Sequence, residues 1–280
     1  MIQQNFNADW KFYKEGEETK KITLPHDAML EEKRIPDLIA GENSAYFPGG
    51  KYAYEKDFNI PEETECVQLY FDGIYQKAKI KLNGKQIAEQ MNGYTGFFVD
   101  LTEHMIRGKT NRLRVTVDNT QVPNSRWYTG SGIYRDVTLY AGNRLHIKPK
   151  GIEVCTVDEK KAEFEIYICV EGMSEEDKEK ISFEFKILDM DNGAQDFQIL
   201  DKRWTDNVYT VRMKQESAQE WSSETPVCYM LEAKMKKDNA ADVQTTRYGL
   251  RKLAWDPENG LSVNGAETKL RGACIHHDNG

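Results

Sequence analysis

Eleven residues in the first third of the chain spell out a β-hairpin. Ala78-Lys-Ile-Lys-Leu82 alternates apolar and polar side chains, Asn83-Gly84 interrupts, and Lys85-Gln-Ile-Ala88 continues the strand. A period of two sends successive side chains to opposite faces of a sheet. Asn-Gly supplies the two positive φ angles that a type I′ turn requires. The same pattern recurs on both sides. Val67-Gln-Leu-Tyr-Phe71 alternates and turns at Asp72-Gly73, and Arg112-Leu-Arg-Val-Thr-Val117 and Val137-Thr-Leu-Tyr140 add two more strands. Residues 1–145 therefore read as one antiparallel sandwich.

A second set begins after Lys148-Pro-Lys-Gly151. Phe164, Ile166, Ile168 and Val170 share one face of a strand. So do Phe183, Phe185 and Ile187, then Tyr209, Val211 and Met213, then Tyr229, Leu231, Ala233 and Met235. About a hundred residues of short strands separated by turns fit an immunoglobulin-like sandwich over 146–248. The acidic run Ser174-Glu-Glu-Asp-Lys-Glu-Lys180 between strands is expected to be a solvated loop. A third unit is placed at 249–280, with a tight hairpin at Val263-Asn-Gly265. Nothing reads as a long helix, so the fold class is mainly β. Leu270 to Ile275 is apolar apart from Arg271, as a strand covered on both faces should be. His276, His277 and Asp278 follow where such a strand would end, the position that faces the active site in barrel enzymes. What would follow that strand is absent, so the sequence reads as the front end of an enzyme.

Of the 280 residues, 39% are hydrophobic and 11% aromatic, enough for packed cores. The formal net charge is -8, with no basic stripe. That balance argues against nucleic acid and anionic membrane as partners. The N-terminus has neither a basic start nor an apolar core, and no stretch is long and apolar enough to span a bilayer, so a cytoplasmic location is expected. The five cysteines, Cys66, Cys155, Cys169, Cys228 and Cys274, form no Cys-x-x-Cys pair. Buried free thiols are expected at Cys169 and Cys228. Neither a Gly-rich phosphate loop nor a Gly-x-Ser-x-Gly elbow is present, and no cofactor is expected.

Dispersed segments then carry a family likeness, in family order. Trp10-Lys-Phe12 and Leu24-Pro-His-Asp27 are followed by Phe47-Pro-Gly-Gly50, Tyr54-Glu-Lys-Asp-Phe58, Phe71-Asp-Gly-Ile74, Leu82-Asn-Gly84 and Gly93-Tyr-Thr-Gly-Phe-Phe98. Ser131-Gly-Ile-Tyr-Arg-Asp-Val137 is the most specific of the set. Trp221-Ser-Ser-Glu-Thr-Pro226 and Tyr248-Gly-Leu-Arg251 come later, then Leu270 to Asp278. The chain resembles the N-terminal part of family 2 glycoside hydrolases, the β-galactosidase and β-glucuronidase group. The resemblance implies a jelly-roll domain, an immunoglobulin-like sandwich and the truncated start of a TIM barrel. Such a barrel carries two glutamates of a retaining mechanism about 5 Å apart and needs about 250 residues. About thirty residues follow Leu250. By resemblance, then, no catalytic residue lies in this chain.

The resemblance also implies site residues. Asp278 matches an aspartate that contacts sugar hydroxyls, for which a carboxylate accepting two charge-assisted hydrogen bonds is suited. His276 matches a histidine lining the same pocket. Exposed tail residues without a ligand are the alternative. The loop Ser125-Arg-Trp-Tyr128 matches one that reaches toward the barrel pocket. There Arg126, Trp127 and Tyr128 could stack on and donate to sugars, or Trp127 and Tyr128 could pack a domain contact. His276 and Asp278 are too few ligands for a closed metal site, so no metal is expected. Arg135 is expected to be buried against a carboxylate, Gly130 and Gly132 to allow a tight path, and His26 and Asp27 to anchor the N-terminal strand. The function expected is the non-catalytic N-terminal portion of a β-galactosidase-like hydrolase acting on a carbohydrate. The alternatives are a self-sufficient carbohydrate-binding module, or a fragment complementing a separate barrel. Unpaired edges of the strand around Leu270 would invite such docking, or homo-oligomers.

Overall fold

A computed structural model describes residues 1–14, 16–121, 123–191, 193–238 and 240–274. The fold is mainly β, and its helical content among the described residues is three single turns of 3-10 helix. No helix among them is long and apolar enough to cross a membrane. The chain divides into two compact units, one formed by Ile2–Asn143 and one by Arg144–Gly272.

In the first unit a four-stranded sheet runs in the spatial order Ile2–Asn5, Val137–Gly142, Cys66–Phe71, Phe97–Asp100. A six-stranded sheet runs Lys20–Ile22, Trp10–Lys14, Lys51–Asn59, Thr110–Asp118, Ala78–Leu82, Lys85–Gln90. Every pairing is antiparallel. Inward residues of both sheets close one core. Leu69 and Phe71 come from the smaller sheet, and Trp10, Tyr54, Ile80 and Leu113 from the larger, each fully buried. The Trp10 indole nitrogen donates to the Phe6 carbonyl at 2.9 Å, so the largest core side chain buries no unpaired donor.

The Asn-Gly hairpin forms where the pattern places it. Asn83 and Gly84 both take positive φ, 51° and 85°, between Ala78–Leu82 and Lys85–Gln90. Asn83 does more than turn. Its side-chain amide donates to the Asn111 carbonyl oxygen at 2.9 Å, and its own oxygen accepts from the Arg112 amide at 2.9 Å. Asn111, fully buried, satisfies its remaining groups on the backbone of Ile106 and Lys109. The turn is thus sewn to the neighbouring strand.

The second unit holds two four-stranded antiparallel sheets. One runs His146–Asp158, Glu163–Glu171, Val208–Gln215, Phe197–Thr205; the other runs Ala194–Gln195, Ser182–Asp189, Tyr229–Lys237, Ala240–Tyr248. Phe164, Ile166, Ile168 and Val170 are fully buried and share one core with Val211, Met213, Leu231 and Ala233. The strict alternation is the whole signal here, because one face of each sheet is covered.

Several expectations are corrected. The acidic run is not a plain loop. Glu175–Asp177 forms a 3-10 turn whose capping box joins Ser174 to Asp177, and Asp177 also pairs with Lys237. Cys169 and Cys228 are half-buried, and Cys66 is the buried thiol instead; no disulfide forms among the described cysteines. Residues 249–272 cluster with the second unit rather than apart from it, for Leu250 is fully buried in that core and bridges Glu220 in parallel. The Val263–Asn264–Gly265 hairpin does form, within a three-stranded sheet of Leu253–Asp256, Gly260–Val263 and Ala266–Glu267. Leu270 to Cys274 forms no strand and is exposed, with Leu270 at 72%. An apolar run is a strand only where a ladder partner exists, and no described residue supplies one here. Ile275, with His276, His277 and Asp278, lies outside the described residues.

The shared core predicts the cost of opening it. Ile166→Ala removes a fully buried side chain at the centre of the second unit. It is expected to lower that unit's stability by about 2–5 kcal/mol. Urea unfolding monitored by fluorescence measures this; a loss below about 1 kcal/mol would mean the core is loosely packed.

Candidate functional site

The motif segments Leu24–Asp27 and Ser131–Val137, read separately in the sequence, lie side by side. The His26 amide donates to the Ile133 carbonyl at 2.9 Å, and the Ala28 amide to the Ser131 carbonyl at 2.7 Å. Between them sits the Asp27 carboxylate. One oxygen accepts from the Met29 amide at 3.0 Å and the Ser131 amide at 2.9 Å; the other accepts from the Tyr128 hydroxyl at 2.5 Å. Asp27 thereby caps the 3-10 turn Ala28–Glu31 and ties down the loop that precedes the Ser131 motif.

Glycine is obligatory at two points of this junction. Gly130 has φ +67°, and a Cβ there would lie 2.7 Å from an Asp27 oxygen. Gly132 has φ +102°, and its Cβ would lie 2.0 Å from the Tyr54 hydroxyl oxygen. Both the backbone angle and the close approach exclude a larger residue. The buried Tyr54 hydroxyl is in turn 3.0 Å from His26 Nδ1. His26 packs on Phe12 with ring centroids 4.5 Å apart. Burial holds the His26 imidazole below its usual pKa, and Glu31 at 3.6 Å only partly opposes that. His26 and Asp27 therefore anchor structure, but Asp27 holds the turn after it and the segment 128–131 rather than the N-terminal strand that the sequence suggested.

The loop that Asp27 holds carries the predicted sugar contacts. Its first end is fixed by Asn119, which is buried and donates to Gly130 and Ser131. Asn124 donates to Asn119 and accepts from the Tyr75 hydroxyl at 3.2 Å. Between these anchors Arg126 is exposed and Trp127 is 43% exposed. Tyr128 differs from both. It packs on Phe47, 5.8 Å between centroids, beside Met29 and Ala45, and donates to Asp27. Burial first, and then Asp27, push its phenol well above the usual range, so it remains a donor. Tyr128 is thus a packing residue, while Arg126 and Trp127 are presented outward.

Three neighbours were missed. Tyr75 exchanges two backbone bonds with Gly132, at 2.9 and 2.7 Å. Burial and the adjacent Tyr94 push its phenol up to about 12. Tyr94, 52% exposed, meets Tyr75 edge-on at 5.4 Å. Asn124 joins Tyr75 to the loop. Tyr94 sits in the Gly93-Tyr-Thr-Gly segment already quoted for its likeness, and that segment was the available signal. A Cβ on Gly93 would lie 2.2 Å from the Tyr75 ring, so the glycine lets the two aromatics meet. Arg135 corrects another expectation. It is exposed, lying 5.2 Å over the Tyr134 ring, while Asp136 accepts from Asn7 at 2.8 Å. Stacking on a ring in water avoids the desolvation that a buried ion pair would require. His276 and Asp278 lie outside the described residues, so this site is built from the first unit alone. Among the described residues, no group of three or more His, Cys, Asp or Glu could hold a metal ion.

Residues 10–132, which include most of this junction, match the family described as glycosyl hydrolase 2 galactose-binding domain-like. The β-galactosidase BoGH2A of Bacteroides ovatus is 30% identical to the chain, over 99% of it and 34% of the relative. A β-glucuronidase of Bacteroides fragilis is 25% identical over 99% of the chain and 41% of the relative. A crystal structure of a glycosyl hydrolase family 2 member from Bacteroides cellulosilyticus superposes with a TM-score of 0.85. It is 29% identical and covers all of this chain and 39% of that one. The chain belongs to glycoside hydrolase family 2. Its match is to the N-terminal portion of that family, and it spans between a third and about two fifths of those relatives' length. In this family 2 chain, the Leu24–Asp27 and Ser131–Val137 motifs quoted from sequence are thus parts of the lock on the 119–132 loop.

Two outcomes follow for that lock. Asp27→Ala strands three donors and is expected to cost about 2–4 kcal/mol, with Asp27→Asn losing less because one carbonyl oxygen remains. Thermal unfolding of both variants checks the order; equal melting temperatures for Asp27→Ala and wild type would contradict it. His26, with a folded-state pKa below 6.5, binds fewer protons than in the unfolded chain. Its contribution to stability is therefore full above pH 6.5 and is lost as the pH falls below that value toward its folded pKa. An NMR titration should place the His26 midpoint under 6.5, and a midpoint at or above it would reverse the sign.

Proposed function

We propose that this chain is the non-catalytic N-terminal portion of a β-galactosidase- or β-glucuronidase-like glycoside hydrolase. The first unit is a jelly-roll domain of the sugar-binding kind and the second an immunoglobulin-like sandwich. Residues after Leu250 lead toward a TIM barrel that carries the two glutamates of a retaining mechanism. The observation that carries this reading is the full-length superposition, at a TM-score of 0.85, on 39% of a family 2 enzyme chain. In the whole protein the first unit presents Arg126 and Trp127 to the sugar. An indole face stacks on the CH-rich face of a pyranose, and a guanidinium donates to its hydroxyls. A loop fixed at both ends by Asn119 and Asp27 keeps these two side chains in place. His276 and Asp278 complete the pocket from the barrel side.

The purified 280-residue polypeptide is expected to leave 4-nitrophenyl β-galactoside and β-glucuronide intact. Release of 4-nitrophenol above a matched blank, surviving repurification, would overturn the assignment of catalysis to a segment outside this chain.

A further inference from the structure

Asn-Gly recurs well beyond the hairpin it forms at Asn83. The sequence holds six such pairs, beginning at Asn83, Asn92, Asn192, Asn259, Asn264 and Asn279. Asparagine before glycine is chemically unstable, because no side chain shields the glycine nitrogen from the asparagine amide carbon. That nitrogen can close a succinimide ring on the carbon and expel ammonia. Folding decides which pair reacts, since a side-chain amide bonded to its surroundings has to give up those bonds first. The pairs at Asn83, Asn92, Asn259 and Asn264 have both residues described.

At three of these pairs the nitrogen that would leave is held. Asn83 Nδ2 donates to Asn111 at 2.9 Å and to the His104 carbonyl at 3.3 Å. Asn264 Nδ2 donates to the Trp221 carbonyl at 2.9 Å, and Asn259 Nδ2 to the Asp256 carboxylate at 3.0 Å. Asn92 is arranged the other way. Its Nδ2 donates to nothing among the described residues, while its Oδ1 accepts from the Tyr94 amide at 2.8 Å and the Thr95 amide at 3.3 Å. Two backbone donors on a carbonyl oxygen stand where negative charge develops as a nucleophile adds, the arrangement of an oxyanion hole. The nucleophile is adjacent. The Gly93 amide donates no hydrogen bond among the described residues, and the Gly93 carbonyl is held by the Tyr134 hydroxyl at 2.7 Å. Asn92 itself is exposed, so water reaches it.

We propose that Asn92 is a site of spontaneous deamidation, selected by the fold over the other described Asn-Gly pairs. The Gly93 nitrogen attacks Asn92 Cγ, and a C–N bond forms there. The Cγ–Nδ2 bond breaks, and ammonia leaves with the proton that Gly93 gives up. Water then opens either carbonyl of the succinimide, yielding aspartate or isoaspartate; no oxidant or cofactor enters. Isoaspartate adds a methylene to the main chain at a point without slack. A Cβ on Gly93 would lie 2.2 Å from the Tyr75 ring, so a longer backbone displaces Gly93 from that ring and from the Tyr134 hydroxyl. The modification thus bears on the Tyr75–Tyr94 pair beside the Gly132 junction. It is independent of the function proposed above.

Ageing the whole 280-residue chain in neutral buffer and mapping its tryptic peptides by mass spectrometry tests this, with isoaspartate read by protein isoaspartate methyltransferase. A parallel sample in guanidinium chloride gives each pair its unstructured rate, and each site is scored as folded rate over unfolded rate. On that scale Asn92 is expected to react at least about tenfold faster than Asn83 and Asn264, which must first break their hydrogen bonds. Tyr94→Pro removes the nearer donor and should slow Asn92 by about tenfold or more. Circular dichroism confirms that this variant is folded. The isoaspartyl fraction, separated on ion exchange by its added charge, should melt below the unaged chain. Any of three results would overturn the proposal: a score at Asn92 no higher than at Asn83 or Asn264, Asn92 intact when the denatured chain has fully converted, or folded Tyr94→Pro reacting as wild type does. A melting temperature unchanged by isoaspartate would overturn the displacement at Tyr75.

Discussion

The first unit depends on one carboxylate. Asp27 accepts from three donors that come from separate stretches of chain: the turn after it, the Ser131 amide and the Tyr128 hydroxyl. No neutral side chain of that size offers as many acceptor positions, and an ionised acceptor makes each bond stronger. The surrounding residues are chosen by this geometry. Gly130 and Gly132 are required because the backbone passes within contact of Asp27 and Tyr54. Asn119 is required because the far end of the loop needs a buried donor for Gly130 and Ser131. Residues that looked like independent family signatures are therefore parts of one hydrogen-bonded object.

The inward faces were readable from the pattern of apolar residues, and the outward ones were not. Phe164 to Val170 and Leu113 to Val117 alternate because one side of each strand is sealed against a second sheet, so burial imposes the period. The Asn83–Gly84 turn was equally plain, since few dipeptides supply two positive φ angles. The Asp27 junction left no such trace. Tyr128 is 101 residues from Asp27 and Ser131 is 104. A contact at that separation has no period to announce it. The sequence suggested only that His26 and Asp27 anchor a strand, and it was the loop they hold that could not be seen.

The corrected readings share a cause. Arg135, the acidic turn at Glu175–Asp177 and the run from Leu270 were each interpreted from residue type without a known partner. Arg135 finds a tyrosine ring instead of a carboxylate, Asp177 finds Ser174 and Lys237, and the described residues from Leu270 to Cys274 find no ladder. Side-chain chemistry limits what a residue can do, but the partner decides what it does. The division of Arg126, Trp127 and Tyr128 makes the same point. Three adjacent residues with sugar-compatible chemistry separate into one that packs on Phe47 and two that face solvent.

That separation has a thermodynamic meaning for recognition. Ordering an exposed loop on binding costs roughly 0.5–1.5 kcal/mol for each flexible side chain immobilised, beyond the backbone. Here the backbone is already held, at one end by the Asn119–Asn124 bond and at the other by the Asp27 bonds to Tyr128 and Ser131. Burying Tyr128 is what makes the second anchor strong, because its hydroxyl donates to a carboxylate away from bulk water. The packing residue thus lowers the ordering cost for its two exposed neighbours. A loop of the same composition without Asp27 would offer the same indole and guanidinium, but with fewer of its conformations competent to bind.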